Sequence, residues 1–402
     1  MTDPKLRFKG FEQHWDEDIF SNVGKYRKVS NQLIHHQNLL SLSYGKIIRK
    51  DIDSRKGLLP VTYDTYQIVE DGTVVFRFTD LQNDKRSLRV GIAEEEGIIS
   101  PAYVCVDVKN VIPKFFYYQM YSFDLRKTFY SMGDGLRQTL SYNDVKNMPV
   151  YFPTDAEQKL IVASMKSIEK RISIVEKVIS HIRQTRTGAM VSMFPQKGED
   201  TPRVRFKGFD EPWRPCKLNS FAKRITRKNT NLESTRPLTI SAEHGLIDQT
   251  DFFNSIIASD NLTGYYLLKK GEFAYNKSYS NRYPFGAVKR LDNYEIGVIS
   301  NLYIVFEIKG DVSSDFISQY FETNLWHREV AIRAAEGARN HGLLNIGAED
   351  FLDINIQLPH SLDEQQKIAE FFRNLDRQIE CQTQILERLK RVKAACLDQM
   401  YV

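Results

Sequence analysis

Pro4-Lys5-Leu6-Arg7-Phe8-Lys9-Gly10-Phe11-Glu12-Gln13-His14-Trp15 decides the fold, because it returns as Pro202-Arg203-Val204-Arg205-Phe206-Lys207-Gly208-Phe209-Asp210-Glu211-Pro212-Trp213. Seven of the twelve positions are identical, 198 residues apart. Working outward, Gly97-Ile98-Ile99-Ser100 returns as Gly297-Val298-Ile299-Ser300, and Tyr103 as Tyr303. Pro153 with Glu157-Gln158 returns as Pro359 with Glu364-Gln365, and the match continues to Met193-Phe194 and Met400-Tyr401. A period this long is no solenoid; one domain-plus-tail unit is used twice.

Each unit reads in two parts. The first mixes short β-branched and aromatic runs with turn signals, as in Gly72-Thr73-Val74-Val75-Phe76-Arg77-Phe78, 103–108 and 301–306, with turns at Asp71-Gly72 and Lys270-Gly271. This predicts an α+β domain with a twisted sheet and some helices, for instance around 314–333. The second part is one long helix. Thr154-Asp155-Ala156-Glu157 and Ser361-Leu362-Asp363-Glu364 fit the capping box, each after a proline.

Apolar residues then follow at 4-3-4-3 spacing. The first seam is Ile161, Met165, Ile168, Ile172, Val175, Ile179, Ile182, Arg186, Ala189 and Met193. The second is Ile368, Phe372, Leu375, Ile379, Gln382, Leu386, Leu389, Lys393, Cys396 and Met400. These are sustained heptads. The polar breaks at Arg186, Gln382 and Lys393 are suited to fixing register.

The expected division is a first recognition domain over 1–153, a spacer helix over 154–194, a linker over 195–201, a second domain over 202–360 and a second helix over 361–402. Each seam of about 34 residues spans roughly 50 Å. The short linker favours antiparallel helices, since a parallel pair would oblige the second domain to bridge that length. The expected fold class is therefore α+β, with two similar globular domains joined by two long helices in an antiparallel coiled coil, related by a pseudo-twofold axis. Two related modules on a ruler suit DNA, whose turns recur about every 34–36 Å.

Composition bounds the function. With 402 residues, 42% hydrophobic and 27% charged, the chain is ordinary globular protein rather than disordered or fibrous. No run of about 18 apolar residues predicts a membrane span, and the first residues lack a signal peptide's apolar stretch. A cytoplasmic location is expected. The net charge of +5 is compatible with nucleic acid but does not demand it. Cys105, Cys216, Cys381 and Cys396 form no Cys-x-x-Cys pair and read as ordinary thiols.

The Lys-x-Arg-Phe-Lys-Gly-Phe…Trp entry, the Glu-Gln helix start and the twofold domain–helix layout resemble the specificity subunits of type I restriction–modification systems. Gly271-Glu272-Phe273-Ala274-Tyr275-Asn276-Lys277-Ser278-Tyr279 and Gly97-Ile98-Ile99-Ser100-Pro101-Ala102-Tyr103 add to this resemblance, which covers essentially the whole chain. It implies that each globular part is a target recognition domain reading one half of a bipartite site in double-stranded DNA. It also implies that the helical spacer sets the unread gap and docks two methyltransferase subunits, with two restriction–translocase subunits completing the complex. The chain itself would bind no cofactor; its partners would use S-adenosylmethionine, ATP and magnesium.

A search for chemistry agrees with a non-catalytic reader. There is no phosphate loop, Gly-x-Gly-x-x-Gly, His-Glu-x-x-His or Gly-x-Ser-x-Gly, and the histidines, including His35-His36, show no metal-ligand spacing. Asn147-Met148-Pro149-Val150 lacks the second proline and aromatic of an adenine-methyltransferase motif. Asp107-Val108-Lys109 has no partner acid and reads as a strand end. No catalytic or metal residue is expected, and a self-sufficient nuclease or methyltransferase is disfavoured. A coiled-coil scaffold for protein assembly, without DNA readout, remains the alternative.

Candidate DNA contacts follow from the chemistry of phosphates and base edges. In the first domain they are Arg77, Thr79, Asp80, Gln82, Asn83, Lys85, Arg86 and Arg89, then Arg137 and Gln138 in a glycine-flanked stretch. In the second they are Lys277, Ser278, Tyr279, Asn281, Arg282 and Tyr283, then Arg339, Asn340 and His341. Ser43-Tyr44 and Ser241 with Glu243-His244 are further candidates, as is the basic face Arg388, Lys390, Arg391 and Lys393. Lys5, Arg7 and Lys9 with their copies Arg203, Arg205 and Lys207 occur in both halves. They cannot distinguish two half-sites, so structure or phosphate contact is their expected role. Trp15 and Trp213 are expected packing anchors.

Overall fold

A computed structural model describes residues 3–32, 34–53, 62–79, 81, 88–132, 139–241, 245–250, 261–278, 283–334 and 344–402. The chain divides into two compact units: 1–177 with 383–402, and 178–382.

The first unit contains β1 (Asp16–Ile19), α1 (Phe20–Val23), β2 (Gly24–Arg27), β3 (Leu40–Ser43), β4 (Lys46–Arg49), β5 (Gln67–Val69), β6 (Val74–Phe76), β7 (Val90–Ile92), β8 (Gly97–Ile99) and β9 (Val104–Val108). After these come α2 (Pro113–Leu125), α3 (Tyr142–Val145), β10 (Pro149–Phe152) and the start of α4 (Asp155–Ser192). Four antiparallel strands form the central sheet in the order β2-β9-β6-β7; β1-β10, β3-β4 and β5-β8 pair separately. Alternation along β6 explains its wholly apolar sequence. Val74 and Phe76 enter the core with α2, while Val75 turns to the opposite face with Leu40, Val69, Ile99 and Cys105. Both faces are covered, so no polar residue alternates. Burial pushes the Cys105 thiol up to about 12, which leaves it unreactive.

The second unit holds the rest of α4, then β11 (Arg214–Lys217), β12 (Ala222–Arg224), β13 (Leu238–Ser241), β14 (Gly245–Asp248), β15 (Tyr266–Lys269), β16 (Phe273–Asn276), β17 (Ala287–Arg290), β18 (Ile296–Ile299) and β19 (Ile304–Ile308). It continues with α5 (Ser314–Tyr320), α6 (His327–Arg333), α7 (Ala348–Leu352), β20 (Asn355–Leu358) and the start of α8 (Leu362–Gln399). Its central sheet runs β12-β19-β16-β17, with pairs β11-β20, β13-β14 and β15-β18, the same connectivity as in the first unit. Phe273 and Tyr275 enter one core, and Ala274 enters the other with Leu238 and Ile299. The helices expected around 314–333 are α5 and α6. Thr323 hydroxyl donates to the Tyr320 carbonyl at 2.7 Å and accepts the Leu325 N–H at 3.3 Å, turning the chain between them.

All ten seam positions of each long helix are buried or half-buried. Within the first unit, Lys393 Nζ on α8 donates to Glu169 on α4 at 2.8 Å, and Ile161 and Met165 share a core with Leu397 and Met400. Within the second, Arg186 forks Asp376 at 2.6 and 3.3 Å, and Phe194 packs on Phe372 with ring centroids 5.9 Å apart. In each unit, residue numbers rise along α4 as they fall along α8, so the helix segments run antiparallel. Two of the polar breaks, Arg186 and Lys393, thus carry the ion pairs across the seam. Each is sparsely exposed, and each sits at the same place in the repeat.

The end of α8 closes the first unit. Tyr401 packs against Phe115 at 5.3 Å and Trp15 at 6.4 Å between centroids. Ser122 hydroxyl donates to the Leu397 carbonyl at 2.7 Å, and Leu6 N–H to the Gln399 carbonyl at 2.9 Å. In the second unit Phe194 packs on Trp213 at 5.8 Å, and Val204 N–H donates to the Ser192 carbonyl at 2.9 Å. Both tryptophans are buried, as their repetition suggested.

Candidate nucleic-acid interface

The entry segment is fixed before any reading surface is built. Arg7 donates to both carboxylate oxygens of Glu157 at 3.0 and 2.7 Å, and to the Gln13 carbonyl at 2.8 Å. Arg205 does the same to Glu364 at 2.7 and 2.9 Å and to the Glu211 carbonyl at 2.7 Å. The neighbouring glutamines complete each joint. Gln158 accepts the Ile112 N–H and Gln365 the Ser313 N–H, both at 2.9 Å. These contacts explain why the entry arginine and the Glu-Gln pair recur together. Arg7 and Arg205 serve structure.

The candidate segments leave from repeated anchor points. In the first unit the Leu140 N–H donates to the Phe78 carbonyl at 3.0 Å, tying the stretch after β6 to the stretch before α3. In the second, the Leu344 N–H donates to the Lys277 carbonyl at 3.0 Å, tying the stretch after β16 to the stretch before α7. Each unit therefore roots its two candidate segments at one hydrogen bond, next to the central sheet.

Arg77 and Thr79 are half-buried at the first root, and the Arg77 N–H donates to the Arg89 carbonyl at 2.8 Å. Arg89 differs from the expectation of a surface reader. It is 0% exposed, and its guanidinium donates to the Thr79 carbonyl at 2.8 Å. It buttresses the root from inside, and a buried arginine cannot reach a phosphate. Its backbone N–H donates to Asp124, whose carboxyl burial pushes up to about 6. In the second unit Lys277 is half-buried with Nζ 3.4 Å from the Ile346 carbonyl, while Ser278 and Tyr283 are exposed. Asp80, Gln82, Asn83, Lys85, Arg86, Arg137, Gln138, Tyr279, Asn281, Arg282, Arg339, Asn340 and His341 lie outside the described residues, as do Glu243 and His244.

The β3–β4 hairpin stands beside the first root. Its turn residue Gly45 is buried: a side chain there would meet Leu88 at 3.1 Å, and its carbonyl accepts the Tyr117 hydroxyl at 3.2 Å. Leu40 leans over Gly97, where a Cβ would lie 2.7 Å from it and 2.6 Å from the Asn38 carbonyl. Leu238 stands over Gly297 in the same way, at 2.5 Å. The recurrence of Gly97 and Gly297 thus reflects a close crossing that only glycine permits.

Asp107 is spent on structure, accepting from Arg27 at 3.0 Å. On α8, Arg388, Lys390 and Arg391 are exposed, whereas Lys393 is engaged with Glu169. Among the described residues no group of three or more His, Cys, Asp or Glu could hold a metal ion, and no helix is long and apolar enough to cross a membrane.

Residues 245–391 match the family described as the type I restriction modification DNA specificity domain. That stretch is similar to a type I DNA specificity domain. The matched stretch runs from β14 into α8 and includes the second root. Two solved structures share the fold across the chain's length. One is the S subunit of a type I restriction–modification system from M. genitalium, with 13% identity, a TM-score of 0.58, and 100% of this chain and 99% of that one covered. The other is described as the structural basis of complex assembly and conformational transition of the type I R-M system, with 16% identity, a TM-score of 0.51, and 98% and 99% covered. No curated protein matches the sequence.

Proposed function

We propose that this chain is the DNA-reading subunit of a type I restriction–modification complex, acting in the cytoplasm without catalysis of its own. Two recognition domains, over 1–153 and 202–360, each read one half of a bipartite site in double-stranded DNA. The helices over 154–194 and 361–402, with the short linker between, set the unread gap and dock two methyltransferase and two restriction–translocase subunits. Those partners supply S-adenosylmethionine, ATP and magnesium chemistry.

One observation carries the reading. The anchors recur in both units, at Phe78–Leu140 and Lys277–Leu344, while the sequences that leave them differ. A repeated frame with divergent insertions is what two different half-sites require, because shared residues cannot encode a difference. The similarity in fold to S subunits and the specificity-domain match support it.

Titrating the full-length chain with duplex DNA at rising salt tests this against a protein-only scaffold. A reader that neutralises several phosphates loses affinity steeply, with log Kd linear in log salt. Absence of salt-dependent binding would favour the scaffold.

A further inference from the structure

Tyr44 is the most exposed of the large hydrophobic residues among those described, at 76%. It sits at the tip of the β3–β4 hairpin, where Ser43 pairs with Lys46 and only Tyr44 and Gly45 make the turn. Both residues are in the left-handed region, with φ of 47° and 76°. A two-residue hairpin of type I′ requires that, and Asn-Gly supplies it most cheaply. Tyrosine there is strained and gives nothing to the interior. Gly45 beneath it is buried and held by Tyr117, so the ring projects from a fixed base.

The surroundings suit nucleic acid. β3–β4 is a separate two-stranded ribbon whose Lys46 beside the turn is exposed, as is Lys50 just past its far end, while Arg49 forks Glu95. The major groove admits such a ribbon. The second unit keeps the frame, with Leu238 over Gly297, but changes the tip. Ser241 pairs with Gly245, which leaves three residues, Ala242-Glu243-His244, where the first has two. The tip therefore differs where the frame does not.

We infer that Tyr44 is a specificity-determining residue of the first unit, its ring packing against a thymine C5-methyl group in the major groove of one half-site. This inference rests on the DNA-reading role proposed above. Apolar contact to that methyl is a recognised means of distinguishing A·T from G·C. Lys46, next to the turn, is a phosphate partner beside the ring.

Selection of duplexes from a random-sequence pool by the full-length chain and by Tyr44→Asn tests it. Asparagine suits the left-handed backbone, so the variant folds and melts no lower than the wild type. The expected result is a split motif for the wild type. For the variant, one A·T position in one half loses its preference, the other half is unchanged, and affinity for the parent site falls about fivefold or more, the worth of one apolar contact. Tyr44→Phe keeps the motif. The inference is overturned if Tyr44→Asn selects the same two halves with equal affinity, or if both halves change together. A wild type that selects no motif would remove the DNA-reading role itself, and this inference with it.

Discussion

Arg7 clasps Glu157 across 150 residues of sequence, with both carboxylate oxygens engaged and Glu157 only 1% exposed. The same fork joins Arg205 to Glu364. Each clasp fastens the entry segment of a unit to the first turn of a long helix, and so sets where the sheet stands on that helix. The guanidinium of Arg7 is held above its usual range by its hydrogen bond to Glu157, so it stays charged across accessible pH.

Removing one partner strands the other. Arg7→Ala is expected to destabilise the first unit by about 3 kcal/mol, because Glu157 keeps an uncompensated buried charge. Arg7→Ala with Glu157→Ala costs less than the two singles together. Urea denaturation of the four proteins measures this; simple additivity would contradict it.

Lys393 and Glu169 form the seam contact of the first unit, with the Tyr118 hydroxyl donating to Glu169 at 2.8 Å. Burial pushes the Glu169 carboxyl up, but the ammonium of Lys393 and the Tyr118 hydroxyl outweigh it and leave it below its ordinary value. This contribution is complete above about pH 4.5 and disappears as pH falls below the depressed value. Lys393→Met is expected to cost about 1–3 kcal/mol at pH 7, with the Glu169 titration, followed by carboxyl NMR, moving upward. An unmoved titration would contradict the pairing.

Asp124 works in the opposite sense. Burial raises its carboxyl to about 6, against 3.8 ordinarily. Folding therefore takes up a proton between those values. The protonated form stabilises fully below about pH 3.8, and the benefit is lost as pH rises through about 6, an effect of about 3 kcal/mol at most. Asp124→Asn is expected to flatten that part of the stability profile. Parallel profiles for variant and wild type would reject the assignment.

Gly97→Ala places a methyl group against the Asn38 carbonyl and Leu40, at 2.6 and 2.7 Å. Backbone cannot yield as a side-chain end does, so the β3–β4 hairpin must shift. A loss of about 1–3 kcal/mol is expected, together with weaker DNA binding. Calorimetry and the salt titration read the two effects. Gly10→Ala is no like-for-like control, since its φ of 92° strains any other residue; Gly188→Ala, in open space on α4, is expected to be tolerated.

Much of this was legible in the sequence because repetition doubles every signal. The seam positions, the buried tryptophans and the turns at Gly72 and Gly271 follow from spacing and local chemistry alone. Arg89 was not legible that way. Its charge suggests a surface, but its side chain is drawn inward by the Thr79 carbonyl, a contact only the folded sheet creates. The partners of the Glu-Gln pair were equally hidden. A glutamate at a helix start suggests a capping box, and nothing local shows that an arginine 150 residues earlier takes its oxygens. The break between α5 and α6 depends on Thr323 turning its hydroxyl to the backbone, which the surrounding helix formers mask.

The most direct test is genome-wide mapping of adenine methylation in cells expressing this chain with a type I methyltransferase subunit. The account predicts methylation at a split motif, two short defined halves around a gap of fixed length, and none when the chain is omitted. Methylation confined to an unsplit motif, or unchanged by omitting the chain, would contradict it.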